Sequence, residues 1–300
     1  MHYVIGDVHG CYDEMIALIN KIESSDKNAE IMFVGDFIDR GPKVWETLEW
    51  MMNNVSADGK YQSVLGNHED LVLQEFASSG IEIPECEYGF NLELKRNGYF
   101  EKSQCKEILD FFRSLPLYKE LHVTSWRGVG IDYVIAHAYK PVKKGKAITF
   151  EEEREAYLWS RRHVLGYLEG EGTILVHGHT PTISTDYNLR CNGAPGLIGY
   201  SYNSINVDGG CCYFYHGYDE SPCMLCAICL ETLAEIYPYT VEERYMQKSL
   251  DDVLIRVPEG ISAEEFRVTY LKVLIERFQN KEKRAGYNRR KRLSIKDMFY

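Results

Sequence analysis

No stretch of the 300-residue sequence approaches the roughly 18 consecutive apolar residues that a membrane-spanning helix needs, so no membrane partner is expected. The first residues, Met-His-Tyr-Val-Ile-Gly-Asp, lack the basic-then-apolar layout of a secretory leader, and the expectation is a cytoplasmic protein. Positive charge is in deficit: 34 Lys and Arg stand against 45 Asp and Glu, a net charge of −11. That balance argues against a general nucleic-acid coat protein, which must neutralise phosphates with basic side chains. Cysteine is sparse and odd in number, nine in all, so the expected state is buried, reduced thiols rather than a disulfide framework. No repeat of fixed period and no low-complexity tract interrupts the chain, which argues against solenoid, collagen and coiled-coil designs.

What is present is an ordinary globular composition, 45% apolar and 26% charged. The length suits about two domains, or one large α/β domain with an appendage. The pattern of the first eighty residues is regular. A short apolar strand, Tyr3 to Ile5, runs into Gly6-Asp7-Val8-His9-Gly10, and a helix follows with Met15, Leu18, Ile19 and Ile22 at helical spacing. A second strand, Ile31 to Val34, runs into Gly35-Asp36-Phe37-Ile38-Asp39-Arg40-Gly41-Pro42, followed by a helix with Val44, Leu48 and Met51 on one face. Tyr61 to Leu65 then runs into Gly66-Asn67-His68-Glu69 and a third helical pattern. Strand, glycine-polar turn and helix three times over predict a parallel α/β sheet. Residues 80–117 read as a cap or insertion with short helices. β-rich segments at 118–126 and 129–136 end at His137, a helix is expected from Glu151 to Arg162, and a strand from Thr173 ends in His177-Gly178-His179. The catalytic domain is expected to end near residue 240. Beyond it, the capping-box pattern Ser262–Glu265 opens a helix bearing Phe266, Tyr270, Leu274 and Phe278, before a tail with eight Lys or Arg between Lys281 and Lys296. That tail reads first as a solvated terminus and second as a contact for RNA, an acidic partner or a membrane surface.

The chemistry lies in the polar residues that end successive strands: Asp7, His9, Asp36, Asn67, His68, His137 and His179. In α/β sheets ligands bind at strand C-termini. Asp, His and Asn together suit divalent Mn, Fe or Zn. One Asp-x-His alone would read as a hydrogen-bonded loop pair; five such clusters predict a site for two metal ions, with Asp36 central enough in sequence to bridge them. Asp7, His9 and Asp36 are assigned to the first ion, and Asp36, Asn67, His137 and His179 to the second. Two such ions, about 3.5–4 Å apart, clamp a phosphoryl oxygen and acidify a water that attacks phosphorus in line. His68 is the candidate general acid for the leaving oxygen, oriented and kept protonated by Asp39, with Arg40 as a bidentate phosphate clamp. His122 competes with His137, and His177 with His179, since residues two apart on a strand share a face.

Gly6–Gly10, Gly35–Gly41 and Gly66–Glu69 resemble the three signature blocks of the phosphoprotein phosphatase family within the calcineurin-like metallophosphoesterases. His137-Ala138 and His177–Pro181 resemble its two downstream histidine motifs. The chain is most similar there to the bacterial and phage-type serine/threonine phosphatases and to symmetrical diadenosine tetraphosphatase. Over residues 1–240 the resemblance implies two facing mixed β-sheets flanked by helices, a dinuclear metal site with the ligands named above, and His179 rather than His177 as ligand. Trp159-Ser160-Arg161 resembles the segment that supplies a second phosphate-binding arginine, which favours Arg161 over its neighbour Arg162. The function expected is hydrolysis of phosphomonoesters of Ser or Thr in proteins, with a dinucleoside polyphosphate as the alternative substrate. Cys223, Cys226 and Cys229, despite their metal-like spacing, are expected to be core thiols, because residues three apart on a strand face opposite ways.

Overall fold

A computed structural model of the chain describes residues 1–77, 81–83, 89–141, 147–161, 173–184, 195–201, 203–216 and 221–247. The helix expected after Ser262, the basic segment 281–296 and Arg162 lie outside the described residues.

The described strands form two mixed sheets. In the first, β1 (His2–Ile5), β2 (Glu30–Phe33) and β3 (Tyr61–Ser63) are parallel, and β9 (Ala227–Cys229) with β10 (Glu235–Ile236) extends the β1 edge antiparallel. The second has the order β4-β5-β6-β8-β7, from β4 (Tyr118–Thr124), β5 (Gly130–Ala136), β6 (Thr173–His177), β7 (Gly199–Ser201) and β8 (Ser204–Asn206). Here β5, β6 and β8 are parallel, while β4 and β7 close the edges antiparallel. The first three strand–helix units thus pair in parallel as their pattern predicts. Hairpin strands from distant parts of the chain complete each sheet, giving the paired mixed sheets that the family resemblance implies.

Side-chain alternation explains why two sheets face each other. On β1 and β2, Tyr3, Ile5, Ile31 and Phe33 point into a core shared with α1 (Tyr12–Ser25) and α2 (Val44–Asn54). Their neighbours Val4, Met32 and Val34 point the other way and join Tyr133, Ile135, Ile174, Val176 and Ile205 of the second sheet. Strands buried on both faces need nearly continuous apolar sequence, and these have it. The outer face of the second sheet packs Val134, Ala136 and Leu175 against Tyr157 of α6 (Phe150–Trp159).

The described part of the expected cap is built into the first core. α4 (Phe90–Arg96) and α5 (Lys106–Ser114) contribute Phe90, Leu94, Ile108, Leu109 and Phe112 to it. The ring of Phe112 lies 5.8 Å from that of Phe37, in the loop that carries Asp36. At the other end, α7 (Val241–Met246) begins with a Thr240–Glu243 capping box and buries Arg244 and Tyr245 completely. The packed body thus runs through α7, past the boundary expected near 240. Cys226 and Cys229 are buried in different core clusters, and the strand in that run covers Ala227–Cys229 alone.

Candidate metal centre

The C-terminal ends of β1, β2, β3, β5, β6 and β8 meet at one edge of the paired sheets. Asp7 and His9 follow β1, and Asp36 follows β2. Asn67 and His68 open α3 (Asn67–Ala77) after β3, His137 follows β5, and His179 follows β6. Asp7, His9, Asp36, Asn67, His137 and His179 are all buried. The loops lock into one another: the Asp36 carbonyl accepts the Val8 and His9 N–H groups at 3.1 and 2.9 Å, and Gly178 N–H donates to the His137 carbonyl at 2.9 Å.

The backbone here is bent into conformations that side chains disfavour. His9, Asp36, Asp39, Arg40 and His179 all have φ between +45° and +71°. Such residues persist only where their surroundings over-determine them, and they gather at functional sites. Glycine permits the closest approach. A Cβ on Gly178 would lie 1.8 Å from Asp7 Oδ1, so only glycine lets the second sheet's loop touch the first sheet's carboxylate.

The imidazoles are oriented by backbone carbonyls. His9 Nδ1–H donates to the Ile38 carbonyl at 2.8 Å and His137 Nδ1–H to Val34 at 2.9 Å, which turns each Nε2 lone pair into the site. Burial lowers the pKa of both rings, that of His9 to about 3. Asn67 Oδ1 lies 2.7 Å from His137 Nε2 and 2.8 Å from His179 Nδ1. His137 Nε2 is also 3.4 Å from Asp36 Oδ2. The His137 Nε2 and Asn67 Oδ1 lone pairs therefore face each other, beside three buried carboxylates, Asp7, Asp36 and Asp208. Burial and the mutual repulsion of these acids hold the Asp7 pKa well above the usual range, and burial raises that of Asp208 to about 7. For Asp36 burial acts in the same sense, but His137, His68 and His9 outweigh it, and its pKa is lowered. A divalent cation resolves both the converging lone pairs and the crowded acids, so the donor set fits such ions.

Two donor groups share Asp36: His9, Asp36 and His68, and Asp7, Asp36 and His137, each with its atoms within 4.8 Å. Asp36, assigned to both ions, is thus the carboxylate common to the two groups, and Asp7 stands in the group with His137. Neither His177 nor His179 belongs to either group; His177 is buried in the strand with Nδ1 3.1 Å from the Gly178 carbonyl, whereas His179 Nδ1 lies 3.2 Å from His137 Nε2. His122 is exposed and paired with Asp132 at 2.7 Å, on β4 and β5.

His68, Asp39 and Arg40 form the outer rim. His68 Nδ1–H donates to Asp39 Oδ2 at 2.6 Å, while Arg40 donates to His68 Nε2 at 2.9 Å and to His9 Nε2 at 3.1 Å. Burial opposes charge on His68, but Asp36 and Asp39 outweigh it and raise its pKa. Arg161 follows α6 and donates to Thr180 Oγ1 at 2.8 Å, beside His179.

Sequence reasoning gave no role to Glu69, which is fully buried and accepts the N–H groups of Asp36, Phe37, Ile38 and Gly66 at 2.9 to 3.2 Å. It holds the Asp36 loop in shape, and its signal was its place beside Asn67-His68. Asp208 was also given no role, although it ends an apolar strand segment as the other donors do.

A family model described as calcineurin-like phosphoesterase matches residues 3–208, and the chain belongs to that family. It is 28% identical over 228 residues to the asymmetrical bis(5'-nucleosyl)-tetraphosphatase PrpE of Bacillus velezensis, covering 70% of this chain and 84% of that one. Serine/threonine-protein phosphatase 2 of Salmonella typhimurium is 30% identical over 178 residues, 56% of this chain and 71% of its own. The symmetrical bis(5'-nucleosyl)-tetraphosphatase of Escherichia coli is 33% identical over 115 residues, 38% of this chain and 37% of its own. The protein is thus a metallophosphoesterase.

Proposed function

We propose that this metallophosphoesterase hydrolyses phosphomonoesters of serine or threonine in proteins, with two divalent ions, manganese first and iron or zinc as alternatives. The observation that carries this reading is the His68–Asp39 pair with its raised imidazole pKa. An alkoxide leaves poorly and needs a proton in the transition state, whereas a nucleotide leaves readily and needs less help. The ions would be held by Asp7, His9, Asp36, Asn67, His137 and His179, and would supply Lewis-acid charge and an acidified water.

The chain's own residues do the rest. Arg40 and Arg161 bind the phosphate oxygens, with Asn67 and His68 lining the same face. Arg40 first occupies the His68 Nε2 lone pair. When a phosphate draws the guanidinium away, that nitrogen is free to carry a proton toward the leaving oxygen, while Asp39 holds Nδ1–H and stabilises the charged ring. The proposed setting is the cytoplasm, in keeping with described cysteines that form no disulfide and with no described helix long and apolar enough to cross a membrane.

The second reading, hydrolysis of a dinucleoside polyphosphate, draws on the tetraphosphatase relatives. Side-by-side kinetics of the manganese-loaded protein on phosphoserine and phosphothreonine peptides and on diadenosine tetraphosphate separate the two. The phosphatase reading expects higher kcat/KM on the peptides and a fall of about 10²- to 10⁴-fold in His68→Asn. Preference for the dinucleotide, with a small His68 effect, would establish the second reading instead.

A further inference from the structure

The short 3-10 segment Cys211–His216 lies between two arginines, and its residues divide between them. Toward the site, buried Cys212 lies near enough to the Arg40 cation that its charge opposes the upward push burial gives the thiol pKa. The Tyr213 ring centre lies 6.0 Å from the Arg40 guanidinium carbon, and His216 Nε2–H donates to the Arg40 carbonyl at 3.1 Å. On the opposite side the partner is Arg244 of α7. Its guanidinium carbon sits 3.7 Å from the centre of the Phe214 ring and 5.7 Å from that of Tyr215, and it donates to the Cys211 carbonyl at 3.5 Å.

Arg244 is itself held on every side. It is fully buried, donates to Glu14 Oε1 of α1 at 2.5 Å, and reaches the Pro222 and Cys223 carbonyls at 3.4 Å. The same Glu14 oxygen accepts the Tyr215 hydroxyl at 2.5 Å. Cys11, Glu14 and Cys211 bring together atoms of metal-ligating type, but here the Arg244 cation already answers the Glu14 charge. A buried ion pair is a weak source of net stability, because desolvation offsets most of the attraction. It is a strong source of geometry, since a planar guanidinium with several fixed acceptors allows few arrangements. Arg40 needs that geometry. It sits at φ +71° next to Asp39 at +66°, and such backbone holds only when its neighbours constrain it.

We propose that Arg244 is a positioning residue for Arg40, acting through the Cys211–His216 segment. This rests on the reading of Arg40 as a phosphate-binding group. It also assigns α7, which lies past the matched residues 3–208, a part in the catalytic site. Pinning Cys211, Phe214 and Tyr215 on one side fixes where Cys212, Tyr213 and His216 stand on the other, and those three bracket the Arg40 side chain and carbonyl.

The test is a double-mutant cycle in the full-length, manganese-loaded protein, with Arg244→Gln and Arg40→Ala singly and together. Binding of inorganic phosphate is measured by calorimetry, and KM and kcat on a phosphate ester that the wild type turns over. Arg244→Gln is expected to weaken phosphate binding and raise KM by about 10-fold, as loss of an outer positioning partner does, with kcat little changed. It should add nothing further in the Arg40→Ala background, and Arg244→Lys should recover part of the loss. Should Arg244→Gln not fold, Phe214→Leu carries the same cycle, since it removes the stacked ring and leaves the Glu14 pair. Equal losses in both backgrounds, or a lowered Tm with unchanged phosphate affinity, would overturn the proposal. The site reading has its own control. Wild-type phosphate affinity in Arg40→Ala would remove Arg40 from phosphate binding, whereas lost affinity there with full affinity in Arg244→Gln would sink the Arg244 role alone.

Discussion

The two sheets contribute to the candidate metal centre in different ways. The first builds donors in contiguous blocks: Asp7 with His9, Asp36 with Asp39 and Arg40, and Asn67 with His68, each block joining a parallel strand to a helix. The second delivers His137, His179 and Asp208 one at a time, from strand ends far apart in the chain. The first sheet also holds most of the bent backbone, at His9, Asp36, Asp39 and Arg40. The second is fitted to it: the His137 ring hangs from the Val34 carbonyl, the His179 N–H donates to Asp7 Oδ2 at 3.1 Å, and Gly178 lies against the Asp7 carboxylate. One sheet thus shapes the donors, and the other closes the site by docking on them.

The residue common to both sides should give the largest effect. Asp36 belongs to both donor groups, so Asp36→Asn is expected to lower kcat by about 10³-fold or more, the equivalent of roughly 4 kcal/mol. Elemental analysis alongside the kinetics should find fewer than two metal ions per chain; full metal content with unimpaired kcat would refute its bridging place.

A change at the seam alone comes next. In Gly178→Ala the new methyl would stand 1.8 Å from Asp7 Oδ1 and 2.9 Å from Val34 Cγ2, so the sheets must part at the site. Overpacking of this kind costs about 1–3 kcal/mol. A displacement near 1 Å in catalytic geometry costs about 10²-fold in rate. Thermal unfolding and kcat, measured together, should both fall; a normal rate would mean the docking of the second sheet is not needed.

The smallest expected effect lies within the first sheet. Asp36 and Asp39 raise the His68 pKa against the pull of burial, so the protonated ring survives to higher pH. Asp39→Asn removes one of those two supports. The alkaline limb of the kcat profile should then move to lower pH. The linked stability has the same sign: the contribution from protonated His68 is complete below the unfolded imidazole pKa of about 6.5 and disappears as pH rises through the raised folded value. Wild type and variant should therefore differ most in Tm at acid pH, and an unmoved alkaline limb would remove Asp39 from the acid's support.

Legibility followed the same division. Asp7, His9, Asp36, Asn67 and His68 stand beside their strands in short motifs, and local pattern alone placed them at strand ends. His137 and His179 each had a rival of the same residue type, and what sets them apart is tertiary: both rings lie against Asn67 Oδ1, while His122 is exposed and His177 faces the Gly178 carbonyl. Glu69 was visible as a letter in a motif but not as a brace, because its four amide partners come from two loops. The parallel pairing of the first three units was legible in their pattern, whereas β9 and β10, which make that sheet mixed, arrive from residues beyond 226 and leave no trace in it.

Local sequence determined the strand–turn–helix units, their apolar faces and most of the donor residues, because these depend on spacing along one short segment. Tertiary structure alone decided that α7 belongs to the body and that Asp7 groups with His137. It also decided that Arg40 and Arg244 hold opposite sides of one segment. Each of these joins residues that chain distance separates and packing brings together, and no local pattern carries that information.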